Sequence, residues 1–104
     1  MKTSELIAKG RDVLARGWCQ GRYQSDHAVC AMGALRTVLG GNSMSISAEQ
    51  IAQYEQASDA LCDATYQMFG AYSLIEFNDA PSTTQQDILD IFDKTIAGLE
   101  EKGL

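Results

Sequence analysis

The run of residues 27–39, HAVCAMGALRTVL, is the feature that most constrains the fold of this chain. It is rich in Ala, Leu and Met, poor in β-branched residues and longer than a typical strand, so it predicts a helix from His27 to Leu39. Because this helix is apolar on nearly every side, it must be buried. Residues 40–42, Gly-Gly-Asn, are expected to end it. The chain therefore needs other helices to surround this one.

Three further segments have the spacing of amphipathic helices. The first runs from Thr3 to Arg16 and places its leucine, isoleucine and valine residues on one side. The second begins at a capping-box pattern in residues 47–50 and ends at Gly70. The third follows a similar pattern in residues 82–85 and carries an apolar stripe from Ile88 to Leu99. These three helices supply the amphipathic faces that would cover the buried one.

Two segments lack any periodicity, residues 17–26 (GWCQGRYQSD) and residues 71–81 (AYSLIEFNDAP). We expect both to be loops, the second one ordered by Leu74, Ile75 or Phe77 in the core. The sequence therefore predicts an all-α fold: a single small domain over residues 1–104, with about four helices packed around a buried second helix. A regular up-down bundle and a crossed, irregular packing both fit this pattern.

Composition excludes several classes of protein. The hydrophobic fraction of 45% is too high for intrinsic disorder, and no apolar run approaches a membrane span. The N-terminal residues are too polar for a signal peptide, so a cytoplasmic protein is expected. The net charge is −6, divided between +3 in residues 1–36 and −9 in residues 37–104. This acidic balance argues against direct nucleic-acid binding and favours another protein as the partner. The sequence carries no signal for the oligomeric state.

The three cysteines, Cys19, Cys30 and Cys62, are odd in number, and a disulfide framework is not expected in a cytoplasmic protein. A zinc site would recruit these three residues and His27. Its spacing lacks the paired C-x2-C of structural zinc sites, so we predict no metal and no cofactor.

A catalytic site is a second possible use of the same residues. Within the predicted helix, His27 and Cys30 are three positions apart and share one face, and a thiol near a helix N-terminus is activated by the helix dipole. Asp79 or Asn78 would orient the histidine. The structural alternative is an exposed His27 and an inward-packed Cys30, and the sequence contains no complete catalytic motif.

The loop of residues 17–26 combines tryptophan, tyrosine and arginine, which stack on and pair with anionic or aromatic groups. The turn at residues 77–81 adds an amide and a carboxylate. The candidate binding residues are Trp18, Gln20, Arg22, Tyr23, Asn78 and Asp79. The structural alternatives are that Trp18 packs into the core and that Asn78 and Asp79 form an Asx turn before the last helix.

Three segments together resemble a known protein family: GWCQG at residues 17–21, CAMGAL at 30–35 and FNDAP at 77–81. They are similar to the G-W-x-Q-G, C-A-L-G-A-L and W-N-D-A-P motifs of a family of small bacterial and phage proteins, a domain of unknown function. The chain departs from that pattern at Phe77, where the family has tryptophan, and in a short loop at residues 22–29. The positions that carry the resemblance are Trp18, Gln20, Gly21, Cys30, Gly33, Asn78 and Asp79.

Three hypotheses about function follow. The first is a small non-catalytic α-helical protein that binds another macromolecule. The second is a phage-type acidic inhibitor of a host nucleic-acid-binding enzyme, which requires one continuous acidic surface. That surface would consist of Glu55, Asp59, Asp63, Asp87, Asp90 and Asp93. The third is a small-ligand or Cys/His catalytic site around residues 17–30, which requires its side chains to lie close together.

Overall fold

The computed structural model describes residues 1–25, 27–40 and 47–104. It confirms the all-α architecture, with five helices in these three ranges. The helices are α1 (Thr3–Arg16), α2 (Ala31–Gly40), α3 (Ala48–Phe69), α4 (Leu74–Asp79) and α5 (Gln85–Glu101). Between α1 and α2, two short strands pair antiparallel: β1 (Gln24–Ser25) and β2 (Ala28–Val29). Asp26 of the predicted loop, and Gly41 and Asn42 of the predicted helix break, lie outside the described residues.

The core lies where α1 and α2 meet the other helices. Helix α1 packs against α2, α3 and α5, while α2 packs against α1, α3 and α4. Every long helix contributes large side chains that are fully buried: Leu6, Ile7, Leu14, Leu35, Leu61, Ile88, Ile91 and Phe92. Each such burial contributes about 1.5–3 kcal/mol of hydrophobic stabilisation. The apolar stripes read from the sequence are therefore the faces that form this core.

The starts of α3 and α5 are set by capping boxes. At α3, Ser47 Oγ accepts from the Gln50 amide at 3.1 Å, and Gln50 Oε1 accepts from the Ser47 amide at 2.9 Å, as predicted. At α5 the prediction of a cap at Ser82 is wrong by two residues. Thr84 is the N-cap: its Oγ1 accepts from the Asp87 amide at 3.2 Å, and Asp87 Oδ2 accepts from the Thr84 amide at 3.0 Å. A carboxylate in the first turn also interacts favourably with the helix dipole.

The predicted helical start at His27 is wrong. The Val29 amide donates to the Gly17 carbonyl at 3.1 Å, and the Cys30 amide donates to the Tyr23 carbonyl at 3.0 Å. These amides are therefore used by strand-like pairing, and α2 begins one residue after Cys30. The apolar run is a short buried strand followed by a buried helix, two structures that look alike in hydropathy.

The segment after α3, predicted as an ordered loop, instead contains the six-residue helix α4. Its N-cap is Ser73, whose hydroxyl accepts from the Glu76 amide at 3.2 Å. Leu74 is buried as expected, whereas Ile75 is exposed. A helix of this length is not stable alone, and α4 is held by its packing against α2 and α3. Its last turn carries Asn78 to the residues that follow α1.

Candidate functional site

Asn78 is only 1% exposed and uses all four hydrogen-bonding positions of its side chain. Its Oδ1 accepts from Trp18 Nε1 at 2.8 Å and from the Ala31 amide at 3.0 Å. Its Nδ2 donates to the Cys19 carbonyl at 3.1 Å and to Asp79 Oδ1 at 3.0 Å. An indole nitrogen and a backbone amide only donate, so they fix the orientation of the Asn78 amide. Asn78 thereby ties the residues after α1 and the start of α2 to α4.

The next residues of the loop add three more hydrogen bonds to α4. Gln20 Nε2 donates to the carbonyls of Asn78 at 3.0 Å and Ala80 at 2.8 Å. The Gly21 amide donates to Asp79 Oδ1 at 2.8 Å. The last carbonyls of a helix have no partner within it, so Gln20 supplies a donor to the Asn78 carbonyl. The Ala80 carbonyl also accepts from the Thr83 amide at 3.1 Å. We call the hydrogen bonds of Asn78, Gln20 and Asp79 the Asn78 cluster.

The start of α2 is built around Cys30. The Ala34 amide donates to the Cys30 carbonyl at 2.9 Å, and the Gly33 amide donates to Cys30 Sγ at 3.3 Å, so Cys30 caps the helix. A Cβ on Gly33 would lie 1.9 Å from the Tyr23 carbonyl oxygen. Only glycine permits this close approach, which explains the residue at this position. The loop residue Tyr23 is thus held directly against α2.

A cavity of about 260 Å³ lies between the loop, the start of α2 and α4. It is lined by residues 21–23 of the loop, by residues 30–32, and by Ile75, Asn78 and Asp79 of α4. A larger groove of about 370 Å³ runs between α3 and α5. It is lined mainly by alanines and by side chains at the end of α5, and it contains none of the predicted site residues. The smaller cavity is therefore the better candidate for a site.

The rim of this cavity carries aromatic and cationic side chains. Tyr23 is 48% exposed, and the Arg36 guanidinium carbon lies 4.7 Å from its ring centroid, a cation–π contact. Arg22 is exposed beside it. Beyond Arg36, burial raises the pKa of Tyr54 above its ordinary value, the Tyr23 and Cys30 groups raise it further, and Arg36 opposes the shift. The Tyr54 hydroxyl is therefore neutral throughout the physiological range.

Aromatic side chains also gather on the other flank of α4. Tyr66 and Tyr72 have ring centroids 4.9 Å apart, and Phe69 and Phe77 stack at 4.6 Å. We call these four residues the aromatic cluster. Tyr72 is 84% exposed, Tyr66 50% and Phe69 42%, while Ile75 on the cavity side of α4 is 52% exposed. Helix α4 is thus bordered by the cavity on one side and the aromatic cluster on the other.

The structure brings the six predicted binding residues to one place, but it gives them different tasks. Trp18, Gln20 and Asn78 are engaged with protein groups in the Asn78 cluster. Arg22 and Tyr23 point their exposed ends to the cavity rim. Of Leu74, Ile75 and Phe77, the three residues offered by the sequence as a core contact, Leu74 is buried, and Ile75 is exposed and lines this cavity. The sequence did not indicate Ile75 as a binding residue, because α4, which carries both Ile75 and Asp79, was predicted as a loop.

The catalytic candidates do not form a constellation. His27 is exposed in the turn next to β2 and is absent from the cavity lining, so the predicted helix face with Cys30 does not exist. Asp79 accepts hydrogen bonds from Gly21 and Asn78 rather than from a histidine.

Two further hypotheses from the sequence concern a zinc site and a continuous acidic surface. The described residues contain no group of three or more His, Cys, Asp or Glu side chains that would hold a metal ion. Of the six acids proposed for one surface, Asp93 pairs with Arg11 at 2.6 Å, and hydrogen bonding with this carboxylate raises the pKa of Arg11. Asp87 caps α5, and Asp90 accepts from Gln86. Three of the six carboxylates are therefore engaged in local contacts.

Fold and site together define a small compact all-α domain with a cavity between its first loop and α4. Comparison with family models identifies the match: residues 1–98 fit DUF6197, a family of unknown function. The chain belongs to this family. The comparisons of this chain with curated proteins and with solved structures found no match. In the described part of the chain, no helix is long and apolar enough to cross a membrane.

Proposed function

We propose that this is a non-catalytic protein that binds another protein through the face around α4. The observation that carries the proposal is the concentration of exposed apolar side chains at this face. Tyr66, Phe69, Tyr72 and Ile75 lie within one short stretch of chain, and Tyr23 and Ile75 line the same cavity. Exposed apolar side chains concentrated in one region are typical of interaction sites, and tyrosine and phenylalanine are enriched there.

The cavity fits one side chain of a partner better than a free small molecule. Its volume of about 260 Å³ is just below the range of roughly 300–1,000 Å³ in which small-molecule pockets fall. One aromatic or branched aliphatic side chain fills such a space, with Met32 beneath it and Ile75 beside it. A buried apolar side chain in a pocket is the usual centre of a protein–protein contact.

The charges at the rim suggest what surrounds that side chain. Arg22 lines the cavity, and Arg36 stacks on the ring of Tyr23, which lines it as well. Both arginines are exposed, and no carboxylate of the described residues forms an ion pair with either. Arginine at an interface forms bidentate bonds with carboxylates. We therefore expect the partner to present an apolar side chain flanked by aspartate or glutamate. A nucleic acid is a less suitable partner, because the overall net charge of −6 repels its phosphates.

The test uses two substitutions at equally exposed residues. Ile75 lies on the proposed face and Leu104 at the C-terminus, and each is 52% exposed. The wild-type protein, Ile75→Asp and Leu104→Asp are immobilised, and proteins retained from a lysate of the source cells are quantified by mass spectrometry. We expect one protein in stoichiometric amount on the wild type and on Leu104→Asp, and about tenfold less on Ile75→Asp.

Equal retention by both variants, or no stoichiometric protein at all, would contradict the proposal. A second copy of this chain is a distinct outcome, which sedimentation equilibrium of the wild type detects. The cytoplasmic location, the bacterial or phage origin and the single domain over residues 1–104 stay predictions from the sequence.

A further inference from the structure

Two of the three cysteines, Cys19 and Cys30, lie on neighbouring segments of the fold, and Cys30 lines the cavity. The Val29 amide donates to the Gly17 carbonyl at 3.1 Å, and the Cys19 amide donates to the Val29 carbonyl at 3.0 Å. This pair of bonds is the pattern of a parallel bridge between Trp18 and Val29. One step further along both segments are Cys19 and Cys30. The bridge therefore places these two residues next to each other across the two segments.

The dimensions of such a bridge suit a disulfide. Neighbouring strands lie about 4.8 Å apart, and paired side chains of a parallel ladder point to the same side. A disulfide requires Cα atoms about 4.4–6.8 Å apart. Cys19 and Cys30 each follow a bridged residue directly, and the same strand spacing at their position puts their Cα atoms within this range. Cys62 lies in α3, on a different element.

Both thiols are held only weakly in their present positions. Cys19 Sγ donates to the Arg22 carbonyl at 3.6 Å, and Cys30 Sγ accepts from the Gly33 amide at 3.3 Å. Sulfur is a weak donor and a weak acceptor, so neither hydrogen bond is a strong one. Burial raises the pKa of Cys19, and the neighbouring Cys30 thiol raises it further, which agrees with the short separation of the two groups.

We propose that Cys19 and Cys30 close reversibly into an intramolecular disulfide by exchange with a low-molecular-weight disulfide such as glutathione disulfide. Cys19 is half-buried and Cys30 is 9% exposed, so the small disulfide meets Cys19 first. The Cys19 thiolate attacks one sulfur and releases one small thiol. The Cys30 thiolate then attacks the mixed disulfide at Cys19 and releases the second thiol. The protein loses two electrons and two protons, and the small disulfide is reduced to two thiols.

The bond would change the candidate site itself. Cys30 both caps α2 and lines the cavity, while Cys19 belongs to the loop that the Asn78 cluster holds. Oxidation would fix the loop covalently to the start of α2 and alter the cavity wall at Cys30. The thiol pair is thus a modification site whose redox state bears on the cavity, whether or not a protein partner binds there.

Trypsin separates the relevant cysteines cleanly. It cleaves after Arg16, Arg22 and Arg36, so Cys19 falls in peptide 17–22, Cys30 in peptide 23–36 and Cys62 in peptide 37–94. The folded protein is equilibrated with reduced and oxidised glutathione, free thiols are blocked, and the digest is analysed by mass spectrometry. We expect peptides 17–22 and 23–36 to be joined, with a mass lower by two hydrogen atoms than the sum of the free peptides.

The matched control is the same chain in concentrated urea and the same glutathione buffer. The fold should raise the joined fraction by about tenfold or more, because it holds the two thiols at a high effective concentration. Cys62→Ser should form the same joined peptide, and Cys30→Ser should carry glutathione on Cys19 instead. The proposal is overturned if the folded protein carries glutathione on Cys19 without the joined peptide, if Cys62 is the residue that joins, or if urea has no effect.

Discussion

The substitution Asn78→Ala tests whether the Asn78 cluster holds the first loop and α2 onto α4. It removes the side chain that accepts from Trp18 Nε1 and the Ala31 amide and donates to the Cys19 carbonyl. The residue is 1% exposed, so water does not reach these groups readily in the folded protein. The backbone of α4 has no reason to change, because alanine is the best helix former.

The magnitude follows from the groups left without a partner. A buried donor that loses its acceptor costs about 1–3 kcal/mol. The Ala31 amide is fully buried in this contact and should cost the larger part of that range, whereas Trp18 is half-buried and regains some hydration. We expect a total loss of about 3 kcal/mol in the free energy of unfolding, against the roughly 5–15 kcal/mol typical of a small domain.

Urea denaturation measures this loss, and Trp18 provides a local probe. It is the only tryptophan in the chain, so its fluorescence reports on the loop while far-ultraviolet circular dichroism reports on the helices. The control is Gln86→Ala, which removes only an exposed bond to Asp90 and should change stability by less than about 0.5 kcal/mol. A loss below about 1 kcal/mol for Asn78→Ala, with unchanged Trp18 emission, would refute the reasoning.

Four further substitutions have outcomes set by the structure, all measured by urea denaturation. Gly33→Ala should lower the free energy of unfolding by more than about 2 kcal/mol, because the added Cβ would lie 1.9 Å from the Tyr23 carbonyl oxygen. Gly98→Ala, whose added Cβ would meet nothing within 4 Å, should instead stabilise α5 by about 0.5–1 kcal/mol. The pKa of Tyr54 is raised in the folded protein, so its neutral hydroxyl contributes stability below about pH 10, and this stability is lost as the pH rises through the folded pKa. Tyr54→Phe should therefore remove this loss of stability at alkaline pH. Arg11→Ala breaks an exposed ion pair, so it should cost less than about 1 kcal/mol, and high salt should abolish that cost.

Helix prediction succeeded where periodicity and capping agreed. The stripes of α1, α3 and α5 each keep the helical spacing over several turns, and the reciprocal Ser47 and Gln50 pattern marks the start of α3. The start of α2 was missed because strand β2 and the helix after it are both buried. A run of apolar residues indicates that a segment is buried, but only the length of the run helps to distinguish a buried strand from a buried helix.

Helix α4 was missed although a local signal existed. Ser73 and Glu76 form the Ser-x-x-Glu pattern that precedes helices. A six-residue helix depends on tertiary packing, so this pattern alone did not establish it. Without α4, the sequence left open whether Asn78 and Asp79 form an Asx turn or join the first loop in a polar site. To predict the hydrogen bonds of Asn78, one must know where α4, the residues after α1 and the start of α2 lie relative to one another.

The Asn78 cluster also determines which residues of the site are available to a ligand. Asn78 has no free donor or acceptor, and Gln20 Nε2 is bonded to two carbonyls of the chain. A ligand that bound these groups would have to break one internal hydrogen bond for each bond it made, with little net gain. Arg22, Tyr23 and Ile75 line the cavity, and their side chains form no such hydrogen bond with other described residues, although the Tyr23 ring contacts Arg36. The motif residues that carry the family resemblance therefore help to shape the cavity, and the proposed function assigns partner contact to Arg22, Tyr23 and Ile75, which the motifs leave out.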